Sequence, residues 1–369
     1  MEIVYECCCG IDVHKKLIVA CLIKGRKQEL RQFGTTTGEL RNMSSWLLEV
    51  GCQMIAMEST GSYWKPLYNI FELTGLDAIV VNASHMKALP GRKTDVKDAE
   101  WIADLLRHGL LKASYIPDRE QRELREITRY RKSLIEERSR EINRLQKMLE
   151  GANIKLSGVV KDINGKSSRK LLGKIIADKK LTEDEVKDLI FGSMHKKLDQ
   201  IMPAIDGIIS PLQKRLLASI LSHIDDMTNR IKDMDKIIKD YLDAYERAIT
   251  AIDELPGIGR TSAEAIIAEI GKDMSRFPSA AHICSWAGVC PGNNESAGKR
   301  KYGQTTKGNK ALKTILVQCA KAAKNVKSSF FSAQYQRIAI RRGKNRATLA
   351  IVPLNAYCNI SCVKNRNAF

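Results

Sequence analysis

Acidic residues are missing from the C-terminal part of this sequence. No Asp or Glu follows Glu295, although the chain continues to Phe369, and the whole chain carries 61 Lys and Arg against 42 Asp and Glu. A long segment of one sign repels itself unless it lies on an anion, and basic side chains that meet phosphates release condensed counterions. The formal net charge of +19 therefore indicates a polyanion partner rather than an ordinary basic protein.

Signatures of membrane, secreted and zinc-finger proteins are absent as well. No apolar stretch approaches the length that spans a bilayer, and the N-terminus lacks a basic leader followed by an apolar run. The ten cysteines do not indicate a zinc site. Cys7, Cys8 and Cys9 are consecutive in a predicted strand, and the pairs Cys284 and Cys290, and Cys358 and Cys362, do not have zinc-finger spacing. We therefore expect a cytoplasmic, nucleoid-associated protein with reduced, mostly core thiols and no membrane partner.

Apolar runs and helical periodicity predict an α/β domain over residues 1–115. Three closely joined runs at 3–13, 17–23 and 29–33 favour an antiparallel meander. Alternating helices and short buried strands follow. We predict helices at 38–50, 63–74 and 95–108, and strands at 54–57 and 78–81. This order is expected of a ribonuclease-H-like core.

The rest of the chain is predicted to be mainly helical. Residues 119–149 are rich in Arg, Glu, Leu and Ile and predict a long charged helix. Apolar residues then step by four and three from Ile220 to Ile252, which favours a coiled coil with the first long helix or with another subunit. One helix of a compact bundle is the alternative. We predict a connector at 116–252, a further domain at 253–350 and an atypical tail at 351–369, where Pro353 does not extend a helix.

A helical corner at residues 255–271 is a candidate nucleic-acid contact. Pro256 interrupts the preceding helix, and Gly257 and Gly259 allow the backbone to approach an anion at the N-terminus of the next helix. This pattern predicts a helix–hairpin–helix motif. An ordinary helical corner is the alternative.

Four carboxylates form a candidate metal site. Asp12 lies within the first strand, Glu58 directly follows the strand at 54–57, and Asp95 and Asp98 are one turn apart on a helix. A carboxylate within an apolar strand is unfavourable unless it is paired or binds a cation. Two Mg²⁺ ions would remove that cost and hold the attacking and leaving oxygens of a phosphodiester. Each residue alone has an ordinary alternative as a turn, loop or helix-start carboxylate, but the four together favour a metal site.

Five motifs resemble those of a known family. They are GIDVHK at 10–15, MESTGSYW at 57–64, KTDVKDA at 93–99, LPGIG at 255–259 and CPGNNESAGKR at 290–300. These motifs are similar to those of the DEDD transposases of bacterial insertion sequences, the IS110 family, which are relatives of the Piv-type invertases. The similarity runs from about residue 8 to about residue 350.

The resemblance implies a RuvC-like N-terminal domain, a coiled-coil connector and a C-terminal serine transposase domain. It implies that Asp12, Glu58, Asp95 and Asp98 bind Mg²⁺ and that Ser296 attacks a DNA phosphate to form a phosphoserine link. It also implies homodimers or tetramers in which the acidic site of one subunit meets the serine domain of another. A structured bridge RNA would pair with the target and with the element ends of the double-stranded DNA.

The residues around Ser296 suit phosphoryl transfer. Small neighbours leave its hydroxyl accessible, and the following basic residues can stabilise charge on a phosphate. No histidine is nearby to act as a base, so metal ions from the acidic domain would assist deprotonation. From the residues alone, a loop serine in a local turn is the alternative. The predicted nucleic-acid contacts, besides the two corner glycines, are Lys15, Lys93, Lys299, Arg300, Lys301, Lys307 and Lys310.

The sequence therefore predicts a Mg²⁺-dependent serine transposase guided by RNA. One alternative is a metal-only RuvC-like nuclease, such as a junction resolvase, in which Ser296 has no covalent role. A second is a degenerate copy that binds nucleic acid without activity, since the tail departs from the family pattern. A basic coiled-coil scaffold would leave the four carboxylates unexplained.

Overall fold

The computed structural model divides into two compact units, Met1–Arg119 and Glu120–Phe369. It describes residues 2–59, 61–82, 98–177, 181–271, 273–290 and 305–352, together with the backbone of 295–296 and 299–300. The division of the second unit at residues 252 and 253 stays a prediction.

The N-terminal unit is built on a five-stranded mixed sheet. Strands β1 (Cys7–Val13), β2 (Ile18–Lys24) and β3 (Lys27–Phe33) form the predicted antiparallel meander, and β4 (Met54–Glu58) and β5 (Ala78–Val81) extend it in parallel. The strand order is β3-β2-β1-β4-β5, which is consistent with a ribonuclease-H-like domain. The helices in the described part of this unit are α1 (Thr37–Glu49), α2 (Trp64–Thr74) and α3 (Asp98–Arg107).

Both faces of β1 are buried, because its side chains alternate between two apolar clusters. Ile11 packs with Met43 and Phe71 on the face covered by α1 and α2. Cys8 packs with Ile102 on the face covered by α3. Burial raises the pKa of the Cys8 thiol to about 11, so this thiol stays protonated at neutral pH, as expected of a core cysteine.

Gly10 marks the point at which α3 crosses β1. A Cβ atom at this position would lie 2.2 Å from the backbone nitrogen of Ala103 and 2.4 Å from the carbonyl oxygen of Ala99. Only a residue without a side chain permits this approach of helix and strand. The glycine of the first motif is therefore required by packing.

The second unit is helical apart from one short hairpin in its described residues. Two long helices, α4 (Arg119–Gly151) and α9 (Pro211–Leu242), precede and follow four short helices along the chain. The short helices are α5 (Leu156–Val159), α6 (Lys166–Ile176), α7 (Glu183–Leu189) and α8 (Leu198–Ile205). The C-terminal helices are α10 (Glu246–Asp253), α11 (Arg260–Ile270), α12 (Ala280–Ala287), α13 (Lys310–Ala323) and α14 (Phe330–Arg342). Strands β6 (Glu295–Ser296) and β7 (Lys299–Arg300) lie between α12 and α13.

The two long helices run antiparallel, side by side, within one chain. Arg131 bonds to Asp235 at 2.8 Å, and Arg138 contacts Thr228 at 3.4 Å, so the partners advance by seven residues in opposite directions. This arrangement agrees with pairing to the first long helix, although a coiled coil as such stays a prediction.

The second long helix is shorter than its apolar repeat predicted. It ends at Leu242, and a 3₁₀ turn at Asp243–Tyr245 separates it from α10. The repeat continues because Ala248 and Ile252 are buried in the apolar cluster of the C-terminal helices. Apolar spacing alone therefore does not reveal that the helix is interrupted after Leu242.

The described C-terminus is part of this same cluster. Residues 344–352 are helical, and Ile351 and Val352, the first two residues of the predicted tail, are fully buried. Residues 353–369 lie outside the described part of the chain. Within the described ranges, no helix has both the length and the apolar character that crossing a bilayer requires.

We expect Gly10→Ala to lower the thermal midpoint of the full chain, because the new Cβ must displace the backbone of α3. Overpacking of a core costs about 1–3 kcal/mol, and a clash with backbone belongs at the upper end of that range. Gly38→Ala is the matched control, since a Cβ there meets no atom within 4 Å and alanine favours the helix. Equal midpoints for the two variants, measured by circular dichroism, would show that the crossing is not tight.

Candidate active site

Asp12 and Glu58 lie beside each other at the carboxyl ends of two central strands. Ile11 pairs with Met57 in the parallel β1–β4 ladder, so the two carboxylates are the next residues in register. Side chains alternate along a strand, and Gly10 lies against α3, so both acidic residues are on the α3 face of the sheet.

The direction of α3 brings Asp98 toward the same edge. Near the amino end of β1, the backbone nitrogen of Val4 donates to the carbonyl oxygen of Arg107 at 2.8 Å. Farther along, the sulfur of Cys8 lies 3.7 Å from the carbonyl oxygen of Ala103. The helix therefore runs antiparallel to β1, and its first residue lies toward the carboxyl end of the strand.

The surroundings of the three carboxylates differ. Asp12 is 8% exposed, and its Oδ2 lies 2.8 Å from Nε2 of the exposed His14. Glu58 and Asp98 are half-buried and engage in other polar contacts. Asp95 and Lys93 lie outside the described residues. Within the described residues, no group of three or more His, Cys, Asp or Glu side chains has a geometry that could hold a metal ion, so the metal assignment stays a prediction.

Ser296 lies on a tight hairpin in the second unit. Strands β6 and β7 are antiparallel, with Ser296 opposite Lys299 and Glu295 opposite Arg300. The backbone of the predicted nucleophile is thus adjacent to the backbone of two predicted phosphate ligands. The side chains of these residues, and all of Lys301, lie outside the described structure.

The segments before and after this hairpin meet at one place. A Cβ on Gly308 would lie 2.4 Å from the backbone nitrogen of Gly288. The backbone nitrogen of Thr306 donates to the carbonyl oxygen of Cys290 at 3.0 Å. The Nζ of Lys313 donates to the carbonyl oxygen of Gly288 at 2.9 Å. The segments 288–290 and 306–313 are therefore bonded to each other where they join the helical core. We call these two segments together the neck of the hairpin.

Glu269 connects this neck to the long helix α4. Its side chain is 1% exposed and accepts hydrogen bonds from Arg129 Nε at 2.7 Å, Arg129 Nη2 at 2.9 Å and Asn309 Nδ2 at 2.6 Å. Asn309 in turn caps α13 by accepting from its first amides. Arg125 donates to the carbonyl oxygen of Glu269, and its guanidinium lies 5.4 Å from the ring centroid of Trp286.

Sequence reasoning did not identify Glu269. The available signal was a single carboxylate in the otherwise apolar end of α11, where Ile266, Ile267 and Ile270 are buried. A charge there requires a partner. Its partners are distant in sequence, so the pattern alone could not name them.

The corner at 255–271 has a structural role that the sequence reading did not assign. Gly257 has φ 83°, and a Cβ there would lie 2.3 Å from the backbone nitrogen of Ala323. Packing on α13 thus requires this glycine. Gly259 is exposed, with no atom within 4 Å of a Cβ, and it precedes α11. Nucleic-acid contact by either glycine stays a prediction, as it does for the exposed Lys15, Lys307 and Lys310.

The fold and these positions together define a class of protein. A mixed sheet with carboxylates where its central parallel strands end is typical of ribonuclease-H-like enzymes that cut nucleic acid. A DEDD transposase family model matches residues 9–154, and the model of the transposase IS116/IS110/IS902 family matches residues 249–336. The chain therefore belongs to this family of transposases, enzymes that cut and rejoin DNA.

Curated relatives agree with this assignment. The 44.8 kDa protein of insertion element IS116 from Streptomyces clavuligerus is 27% identical over 67% of this chain and 68% of its own length. A "Probable family 20 transposase" from Pseudomonas aeruginosa is 23% identical over 94% of this chain and 90% of its own. The second alignment spans both units.

We expect Glu269→Gln to lower the free energy of unfolding by on the order of 3 kcal/mol, because arginine charge is left beside a neutral, buried amide. Glu150→Gln is the matched control, since this exposed carboxylate on α4 also pairs with a cation, Lys155. That pair is solvated, so its loss should leave the urea midpoint unchanged. Equal midpoints for the two variants would mean that the Glu269 contacts are not stabilising.

Proposed function

We propose that this transposase exchanges DNA strands through a Mg²⁺-dependent acidic site and a covalent serine, under the guidance of a structured RNA. The observation that supports it best is the placement of Asp12, Glu58 and Asp98 toward one edge of the sheet. The serine hairpin, with Lys299 opposite Ser296, is the second component. Each component belongs to a different unit of the chain.

The predicted donor set fits a hard divalent cation. Asp12, Glu58, Asp95 and Asp98 offer only carboxylate oxygens, the ligands that Mg²⁺ prefers. The burial of Asp12 also favours a cation partner, because an ionised carboxylate is costly to remove from water. Bound Mg²⁺ would supply Lewis-acid stabilisation of the charge that develops on the phosphate oxygens.

Each of the two covalent steps forms one phosphorus–oxygen bond and breaks another. The Oγ of Ser296 forms a bond to phosphorus as the bond from phosphorus to a deoxyribose oxygen breaks. The serine proton passes to solvent, and the released sugar oxygen takes up a proton. A sugar hydroxyl of the strand to be joined then loses its proton to solvent and bonds to the phosphorus of the phosphoserine, while the bond from phosphorus to Oγ of Ser296 breaks and Oγ takes up a proton. Lys299 and Arg300 would stabilise the charge on the phosphate in both steps.

RNA guidance and oligomer formation rest on the family resemblance and on charge. The chain carries +19, so it can neutralise phosphates of more than one nucleic acid. An active centre with parts from two units permits assembly between subunits of a dimer or tetramer. We propose that the acidic site of one subunit serves the serine of another.

We expect Asp12→Ala to reduce strand exchange at least about a hundredfold, the usual order for removing one group that stabilises a transition state. RNA binding should remain nearly intact, because the lost group is a carboxylate and not a phosphate contact. Asp77→Ala is the control, since this exposed carboxylate precedes β5 at the opposite edge of the sheet. Recombination assays on donor and target plasmids give the readout, and persistent exchange in Asp12→Ala would contradict the metal assignment.

We expect Ser296→Ala to abolish the covalent protein–DNA adduct that denaturing gels detect with native protein, while Ser222→Ala, an exposed serine of α9, retains it. An adduct that survives Ser296→Ala would disprove the nucleophile. Nicking without any adduct in native protein would favour the metal-only nuclease.

Mixing Asp12→Ala with Ser296→Ala chains should restore part of the exchange if the two components come from different subunits.

A further inference from the structure

A basic cleft lies among the short helices of the second unit, in the region between the two family matches. Its volume is about 330 Å³, and it is lined by the first turn of α6, by the loop before it and by the segment at 191–197. Residues 155–248 are covered by neither family model. The family assignment therefore gives this cleft no role.

Positive charge predominates in the cleft. Lys161, Lys166 and Lys197 line it, against one carboxylate, Asp162. An oxygen of that carboxylate accepts from the backbone nitrogen of Asn164 at 2.9 Å, so it is held in a local turn. The cleft therefore favours an anion.

An aromatic side chain lies at the same place. Phe191 is 42% exposed, although its backbone is fixed by a 3.0 Å hydrogen bond to Oγ of the buried Ser167. The ammonium groups of Lys166 and Lys170 lie 4.8 and 4.6 Å from the centroid of its ring. An exposed aromatic ring on an anchored backbone, with cations beside it, is an arrangement by which proteins hold unpaired bases and their phosphates.

The start of α6 adds hydrogen-bond donors to the cleft. This 11-residue helix begins after Gly165, which has no side chain to cap it. The residues of its first turn, 166–168, line the cleft. Backbone amides at such a helix start favour a phosphate, which supports the charge of the lysines.

We propose that this cleft binds one nucleotide of a single-stranded nucleic acid, with the base on Phe191 and the phosphate at Lys166 and the first turn of α6. The volume is at the lower end of small-ligand sites, about 300–1,000 Å³, which suits one nucleotide and excludes a duplex. Bases in a duplex are stacked and cannot reach a ring, so an unpaired strand is required. The choice of a polymer over a free nucleotide rests on the proposed function.

The test is photo-crosslinking of the full chain to short oligonucleotides that carry one thio-base. One tetranucleotide contains 4-thiouridine in RNA and the other contains 4-thiothymidine in DNA. We expect an adduct on the peptide that contains Phe191, and the relative yields show which sugar is preferred. Adducts that map only outside residues 155–210 in both arms would overturn the proposal.

Variants separate stacking from charge. Phe191→Leu should reduce the crosslink and the affinity about tenfold, whereas Phe191→Tyr should keep both, because base–aromatic stacking tolerates the hydroxyl. Lys166→Ser should weaken binding and reduce its salt dependence. Lys232→Ser, an exposed lysine of α9 away from the cleft, is the charge-matched control. Native binding by Phe191→Leu, with an unchanged thermal midpoint, would overturn the proposal.

This test is independent of strand exchange. The oligonucleotides contain neither element ends nor target, and binding is measured without added metal. Asp12→Ala and Ser296→Ala chains should therefore crosslink as native protein does. Strand exchange in the Asp12→Ala and Ser296→Ala chains therefore bears only on the proposed function. The crosslink in Phe191→Leu bears only on the cleft.

Discussion

The buried carboxylate of Glu269 is the contact on which the C-terminal half of the molecule depends. Removing an ionised carboxylate from water is costly, and only several hydrogen bonds from charged or polar donors offset that cost. Here the donors come from Arg129 on α4 and from Asn309 at the start of α13, while Arg125 binds the adjacent carbonyl. Because these donors belong to different elements, a displaced element would leave charge unpaired. The neck that carries the Ser296 hairpin is therefore held in one arrangement.

In the N-terminal unit, the packing of α3 on β1 depends on a steric constraint instead of an ion pair. Gly10 lets α3 touch the backbone of β1, so its lack of a side chain allows the close approach of the helix to the strand. The helix runs antiparallel to β1, and this direction brings Asp98 toward the edge where Asp12 lies near the end of β1 and Glu58 is the last residue of β4. The glycine of the first motif thus allows the helix to approach, and under the proposed function the aspartate two residues later would offer a metal ligand.

Much of this could be predicted from sequence, because local patterns decide it. Apolar runs placed all five strands of the N-terminal sheet, Asp12 was visible as a carboxylate within an apolar strand, and Glu58 was visible as one directly after a strand. The end of α9 could not be placed, since Ala248 and Ile252 keep the same spacing in another helix with other partners. Glu269 and Phe191 escaped for a different reason. Their roles depend on contacts with residues far away in the sequence, Arg129 for Glu269 and Lys166 for Phe191. A periodic pattern does not predict a single contact between two distant residues.

Under the proposed function, charge gives a reason for the acidic residues and the serine to belong to separate units. Carboxylates that must bind a cation would pair with lysine and arginine instead if they lay in the segment after Glu295, which has basic but no acidic residues. Conversely, a serine that attacks a phosphate would gain from neighbouring cations such as Lys299 and Arg300, because they attract the same anion. Under the proposed function, the scissile phosphate with its metal ions is what reconciles the two parts. Assembly of the active centre would then depend on bound DNA, so a chain without its substrate would have little capacity for unwanted cleavage.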